Sequence, residues 1–198
     1  MFISFEGIDG CGKSTQAALL ADHLEAAGRT VLRNREPGGS DGAEAIRALL
    51  VEGDPGRWSP VTELLLYNAA RRDNLERRLA PALDRGDWVV TDRWTDSTRV
   101  YQATRGGDRA VVDALQDLVI GREPDLTFVI DMVPEKALGR GLARATEEDR
   151  FEQLGLAFQH TVRDGYRALA ADFPDRVHIV DGDADPETVA ARVRALLP

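Results

Sequence analysis

Residues 5–15, Phe5-Glu6-Gly7-Ile8-Asp9-Gly10-Cys11-Gly12-Lys13-Ser14-Thr15 (FEGIDGCGKST), decide how the rest of the chain is read. From Gly7 to Ser14 they fit the pattern G-x-x-x-x-G-K-[ST] at every position. The stretch follows an apolar run, FISF (2–5), and precedes Ala17, Leu20, Ala21 and Leu24 at helical spacing. Strand, glycine loop and helix form the context in which the pattern has a physical meaning. The glycines let backbone N–H groups turn toward phosphate oxygens, and the helix N-terminus adds its dipole. Lys13 supplies charge to the β- and γ-phosphates, and Ser14 a hydroxyl to Mg²⁺. Gly7, Ile8, Asp9, Gly10, Cys11, Gly12, Lys13, Ser14 and Thr15 are therefore the expected ATP-binding segment. The pattern alone does not separate a kinase from a GTPase, a motor or a partitioning ATPase. It also poses a puzzle, because Asp9 is a carboxylate inside a loop built for anions.

Further along, β-rich apolar runs alternate with helical patterns: TVLRN (30–34), WVVTD (88–92), LTFVIDM (126–132) and RVHIVDG (176–182). Helices are expected over about Ser14–Ala27, around Ala45, Leu49 and Leu50, and over about Val61–Asp84, with GDPGRWSP (53–60) as a loop. A last helix starts at Asp185-Pro186, a cap followed by proline at the first helical position. Strands without polar alternation imply a parallel sheet covered on both faces, an α/β three-layer sandwich wound by right-handed crossovers. Ligands bind such sheets beyond the carboxyl ends of the strands. Gly7–Ser14, Glu36–Ser40 and Asp92-Arg93 lie there. The polar run RGLARATEEDRFEQ (140–153) interrupts helical patterning and reads as a lid on a single domain spanning 1–198.

The chain has 198 residues, 43% apolar and 30% charged, enough for one α/β domain with a sizeable core. A net charge of -9 argues against nucleic acid as a partner. Cys11 is the single cysteine, so no intramolecular disulfide forms and a reducing, cytoplasmic setting fits. No run reaches the length of a membrane span, and no basic stretch precedes the first apolar residues as in a signal peptide. His23, His160 and His178 have no metal-like spacing.

A nucleotide kinase needs a second phosphate site; a switch ATPase does not. Arg93, at the correct edge of the sheet, could grip a second phosphate bidentately. Asp92 could act through Mg²⁺ or by holding Arg93, and an Asp–Arg pair capping a helix is the plainer reading. Tyr67 and Arg71 lie four apart on one helical face, where a ring and a guanidinium could hold a base; a core tyrosine beside a surface arginine is the ordinary alternative. Ser97 and Tyr101 have the same spacing. Arg140, Arg144 and Arg150 populate the lid, either as solvated charges or as the arginine that meets a transferring phosphoryl group.

Together these pieces resemble the thymidylate kinases, bacterial branch, over essentially the whole chain. The residues that carry the resemblance are FEGIDGCGKST, REPGGS (35–40), LLLYNAAR (64–71), DRWTDSTRVYQ (92–102), PDLTFVIDM (124–132) and DRFE (149–152). The resemblance implies transfer of the ATP γ-phosphate to dTMP with Mg²⁺, a five-stranded parallel sheet, a lid and a homodimer. Another nucleoside monophosphate kinase of the same architecture and a switch ATPase are the rival readings.

By the same resemblance, Tyr67 is expected to stack on thymine, Arg71 to donate to its O4, and Ser97 and Thr98 to contact the base. Arg93 is expected on the dTMP phosphate, Tyr101 under the deoxyribose, and Glu36-Pro37 beside the monophosphate. Ser14, Asp92, Asp149 and Glu152 are expected around the metal. Lys13, Asp9, Arg93, Arg144 and Arg150 are the expected catalytic set. Asp9 faces the acceptor's sugar, which would relieve the conflict of charge. Gly10 stands where some members carry a loop arginine, and Gly39 where some carry a phosphate-binding one.

Overall fold

The computed structural model describes residues 1–54, 56–142 and 155–198. Arg144, Asp149, Arg150 and Glu152 lie outside them, and Arg140 falls on the helix α7 below. Five strands form one sheet: β1 (Phe2–Glu6), β2 (Val31–Arg35), β3 (Trp88–Asp92), β4 (Leu126–Asp131) and β5 (Val177–Asp181). The order is β2-β3-β1-β4-β5, and every pairing is parallel. β1 is central and buried at all five positions, Ser4 and Glu6 included. Phe5 and Arg35 both register with Asp92, and Glu6 with Val129, so β1 to β4 end at one edge.

The glycine loop leads into α1 (Lys13–Ala26), which Gly28 follows at φ 79°. Ser40 caps α2 (Asp41–Val51) by accepting from the Ala43 N–H, and Ser59 caps α3 (Pro60–Asn74), with proline at the first helical position. The helix expected over about 61–84 is continuous in path but not in winding. After α3 the chain makes a π-helical turn, Leu75–Leu79, and resumes as α4 (Ala80–Asp84). The Ala80 N–H donates to the Leu75 carbonyl, five residues back. Pro81 explains the widening, since its ring lacks an N–H and crowds the carbonyl four residues earlier.

α5 (Thr95–Thr104) leaves the β3 edge. α6 (Arg109–Leu115) runs into a second π turn, Gln116–Ile120, which Gly121 ends at φ 64°. α7 (Pro134–Leu142), α8 (Gly155–Asp172) and α9 (Pro186–Arg194) complete the layers. Asp185 caps α9 through the Thr188 N–H at 3.0 Å. The larger apolar cluster joins Ile3, Phe5, Phe128 and Ile130 to Val162, Tyr166 and Leu169 of α8. The smaller one holds Phe2, Leu79, Val89 and Trp94, with Phe2 edge-on to Trp94 at 5.0 Å. Among the described residues no helix is long and apolar enough to cross a membrane.

Candidate active site

The loop after β1 is pressed against the start of α7 and the end of β4. A Cβ at Gly10, whose φ is +82°, would lie 2.0 Å from the Ala137 carbonyl oxygen, so no side chain fits there. That is the physical reason for the missing loop arginine. Gly12 opens α1 at φ 98° with no side-chain cap and no acidic residue in the first turn. The helix N-terminus therefore offers its N–H groups and its dipole to an anion. Cys11 is buried and its thiol pushed up by that burial, so it stays protonated and packs as a small apolar group. Gly10, Cys11, Gly12, Thr15 and Gln16 form one wall of a cavity of about 570 Å³, which the β5–α9 loop, Gly182 to Pro186, closes on the other side.

The opposite flank of the loop faces α5. Lys13 Nζ lies 3.2 Å from Asp9 Oδ1, and Arg93 Nη2 donates to the same oxygen. The Tyr101 hydroxyl donates to Asp9 Oδ2 at 3.2 Å, and the Arg93 guanidinium lies over the Tyr101 ring, 5.0 Å from its centre. Burial alone would raise the Asp9 pKa; Arg93 and Lys13 outweigh it and hold the carboxyl well below the ordinary range. The conflict of charge posed by the sequence is thus met by two cations on one carboxylate oxygen.

Arg93 is the one non-glycine with positive φ, 72°, among the described residues. Its Nη1 donates to Ser97 Oγ at 2.8 Å, and to Tyr166 Oη and the Gly7 carbonyl at 3.3 Å each. Behind it lies Glu6, fully buried, accepting from the Trp94 N–H at 2.7 Å, from the Ser97 hydroxyl and from the Tyr166 hydroxyl at 3.1 Å. Burial, and then Asp96, push the Glu6 carboxyl up to about 7 against the opposing pull of Arg93 and Ser97.

A second group lies one turn along. Arg71 Nε donates to Glu36 Oε2 at 2.7 Å, and Arg71 Nη2 to Thr98 Oγ1 at 3.0 Å. The guanidinium is buried 5.4 Å from the centre of the Trp94 ring. Arg71 Nη1 and Glu36 Oε1 are sealed from solvent and unpartnered. Burial pushes Glu36 up to about 7, with Arg71 pulling the other way. Tyr67 is half-buried on α3, one turn before Arg71. The Pro37 carbonyl accepts from Arg47 at 2.5 Å and from Arg35 at 3.3 Å. At Gly39, with φ +105°, a Cβ would meet Asn34 Oδ1 and Asn74 Oδ1 at 2.5 Å, so any side chain there strains the backbone and displaces both asparagines.

Ser14 and Asp92 make the third group: the Ser14 hydroxyl donates to Asp92 Oδ2, while Asp92 Oδ1 is sealed and unpartnered. The side chain of Asp92 is thus turned to the loop, not to the Arg93 guanidinium.

Those of the singled-out residues that are described from β1 to α5 therefore gather at one edge of the sheet, with Ser97 on the Arg93 side and Thr98 on the Arg71 side. Sequence reasoning missed Glu6, Tyr166 and Arg47. Only Glu6 left a signal, a charge closing an otherwise apolar strand.

Comparison with known proteins agrees over the whole length. The family model for thymidylate kinase matches residues 5–193. The thymidylate kinase of Dinoroseobacter shibae is 65% identical over 196 residues, covering 98% of this chain and 95% of that one. That of a Jannaschia species is 60% identical, covering 100% and 95%. The crystal structure of thymidylate kinase from Ehrlichia chaffeensis superposes with a TM-score of 0.82 at 35% identity, covering 100% of this chain and 98% of that one. With its phosphate loop, arginine-lined second site and full-length matches, the chain belongs to the thymidylate kinase family.

Proposed function

We infer that the protein is a dTMP kinase, transferring the γ-phosphoryl group of ATP to the 5′-phosphate of dTMP. The observation that carries the reading is Asp9 Oδ1, shared by Lys13 on the loop side and Arg93 on the α5 side. Two phosphate-binding cations on one oxygen place a donor and an acceptor phosphate side by side, as an in-line transfer requires. A switch ATPase needs no site for an acceptor phosphate.

ATP sits with its phosphates on Gly7–Thr15 and its base in the cavity between the loop and the β5–α9 turn. Lys13 holds the β- and γ-phosphates. dTMP sits with its phosphate on Arg93, its deoxyribose over Tyr101 and its base between Tyr67 and Arg71. The unpartnered Nη1 of Arg71 is the donor for thymine O4, with Glu36 and Thr98 fixing the guanidinium. The Pro37 turn, tied down by Arg35 and Arg47, supports the monophosphate side.

Ser14 and Asp92 fit a hard divalent cation: a hydroxyl and a carboxylate in contact, one carboxylate oxygen without a partner. They would hold Mg²⁺, which supplies charge neutralisation on the β- and γ-phosphates. Asp149 and Glu152, with Arg144 and Arg150, belong to the lid that this reading places over 140–153 of a single catalytic unit.

The same reading includes a homodimer. Val61 and Leu65, one helical turn apart on α3, are 61% and 52% exposed, and Leu118 on the adjoining 116–120 turn is 84% exposed. Highly charged reactants and a lone cysteine favour work in the cytoplasm.

Incubating the purified protein with ATP, Mg²⁺ and each nucleoside monophosphate in turn tests the assignment. dTMP should be the preferred acceptor; preference for another monophosphate, or ATP hydrolysis indifferent to all of them, overturns it.

A further inference from the structure

Glu6 closes β1 immediately before Gly7 and has no solvent exposure. A strand interior that needed only packing would bury an apolar side chain there, because a buried carboxylate costs stability unless it is hydrogen-bonded and compensated. We propose that Glu6, acting with Tyr166, is the positioning residue that fixes Arg93 for the acceptor phosphate; this rests on the assignment of Arg93 to dTMP.

The first argument is the backbone. A left-handed φ at a residue with a Cβ is strained and persists only where its surroundings over-determine it. Three hydrogen bonds do so at Arg93. Its N–H donates to the Phe5 carbonyl at 2.9 Å, its carbonyl accepts from Thr91 Oγ1 at 2.9 Å, and the next N–H, of Trp94, donates to Glu6 Oε1 at 2.7 Å. Glu6 thus holds the peptide on the far side of the strained residue.

The second argument is a count of donors and acceptors. A guanidinium only donates. Arg93 Nη1 donates to the Ser97 and Tyr166 oxygens, which lie 2.9 Å from each other, and both hydroxyls reach Glu6 Oε2 as donors, so each oxygen accepts from Arg93 when its proton is turned to Glu6. Once ionised, the Glu6 carboxylate is the acceptor on which the chain of donors ends. Replacing it by an amide of the same shape puts another donor in that place, so the hydroxyl protons compete with Arg93. Tyr166 adds rigidity, since its ring meets Tyr101 edge-on at 6.4 Å.

The test compares four proteins in the same steady-state assay, with dTMP binding also followed by calorimetry without ATP: wild type, Glu6→Gln, Tyr166→Phe and Arg93→Ala. Hydrogen bonds to charged groups are worth enough that Glu6→Gln should raise the dTMP KM and Kd roughly tenfold to a hundredfold. The ATP KM should stay within about twofold, because no Glu6 contact reaches the donor side. Tyr166→Phe keeps the ring and removes one hydroxyl, so it should show the same selective defect at roughly threefold to tenfold. If Glu6→Gln does not fold, Tyr166→Phe decides alone. Folded variants with wild-type dTMP constants, or with dTMP and ATP weakened equally, overturn the proposal while the functional reading stands. An Arg93→Ala protein that binds dTMP normally overturns the assignment of Arg93 and the proposal with it, and failure of wild type to use dTMP overturns the functional reading itself.

Discussion

Arg71 and Glu36 are 2% and 3% exposed at their side chains, 2.7 Å apart, and the pair sets up a stability change that depends on pH in a calculable way. Consider Arg71→Met, which keeps a long unbranched side chain in the space and removes the charge. Glu36 in the folded protein ionises at about 7 against an ordinary value of 4.5, burial raising it and Arg71 restraining it. Below pH 4.5 the carboxyl is neutral in the folded and the unfolded chain and affects neither. Above 4.5 the unfolded chain ionises first, and stability falls by about 1.4 kcal/mol per pH unit until the folded carboxyl ionises too. In wild type that loss ends near pH 7 and totals roughly 3 kcal/mol. Without Arg71 the restraint is gone and the folded carboxyl stays protonated well above 7. The loss then continues through pH 8 and 9, adding up to roughly 3 kcal/mol by pH 9. Urea denaturation of both proteins at half-unit steps from pH 6.5 to 9 measures this directly. Glu6 titrates in the same window but is common to both proteins and cancels in the difference. The gap between variant and wild type should widen with pH, and Arg71→Met combined with Glu36→Gln should remove the slope. A gap that is constant from pH 6.5 to 9 would refute the argument.

Lys13→Ala should lower turnover by roughly a hundredfold to a thousandfold with melting temperature nearly unchanged, because the ammonium serves phosphate and not the core; steady-state rates and thermal melts check this. Tyr101→Ala should shrink the preference for dTMP over its ribose counterpart, on the order of tenfold to a few hundredfold at most, read as a ratio of kcat/KM values. Arg150→Ala or Arg144→Ala should lower kcat by on the order of a thousandfold while ATP affinity holds, since the loop has no arginine of its own; single-alanine kinetics decide which, and loss at neither position moves the catalytic charge elsewhere.

The phosphate loop was legible because anion binding demands glycines and a lysine at fixed spacing, and the middle of the sheet because β1, β3 and β4, buried on both faces, do not alternate in polarity. The widened turn at 75–79 was not, since it answers a conflict between Pro81 and the helix that periodicity alone does not register. The Glu6–Tyr166 hydrogen bond spans 160 residues, and Tyr166 shares its helix face with Val162 and Leu169, so its spacing reads as plain core. Asp92 stayed ambiguous for a similar reason: its partner Ser14 is 78 residues away, and only the pairing of β1 with β3 brings them together.

The close approach of Gly10 to Ala137 has a consequence for how such a protein can change. A single substitution cannot place a cation at position 10, because the first methylene would strike the backbone of α7, which no side-chain rearrangement can move aside. The start of α7 would have to shift first, with no catalytic benefit of its own. The order of steps is therefore constrained, and a lineage with this packing is held to supplying any transition-state cation beyond Lys13 from somewhere other than position 10.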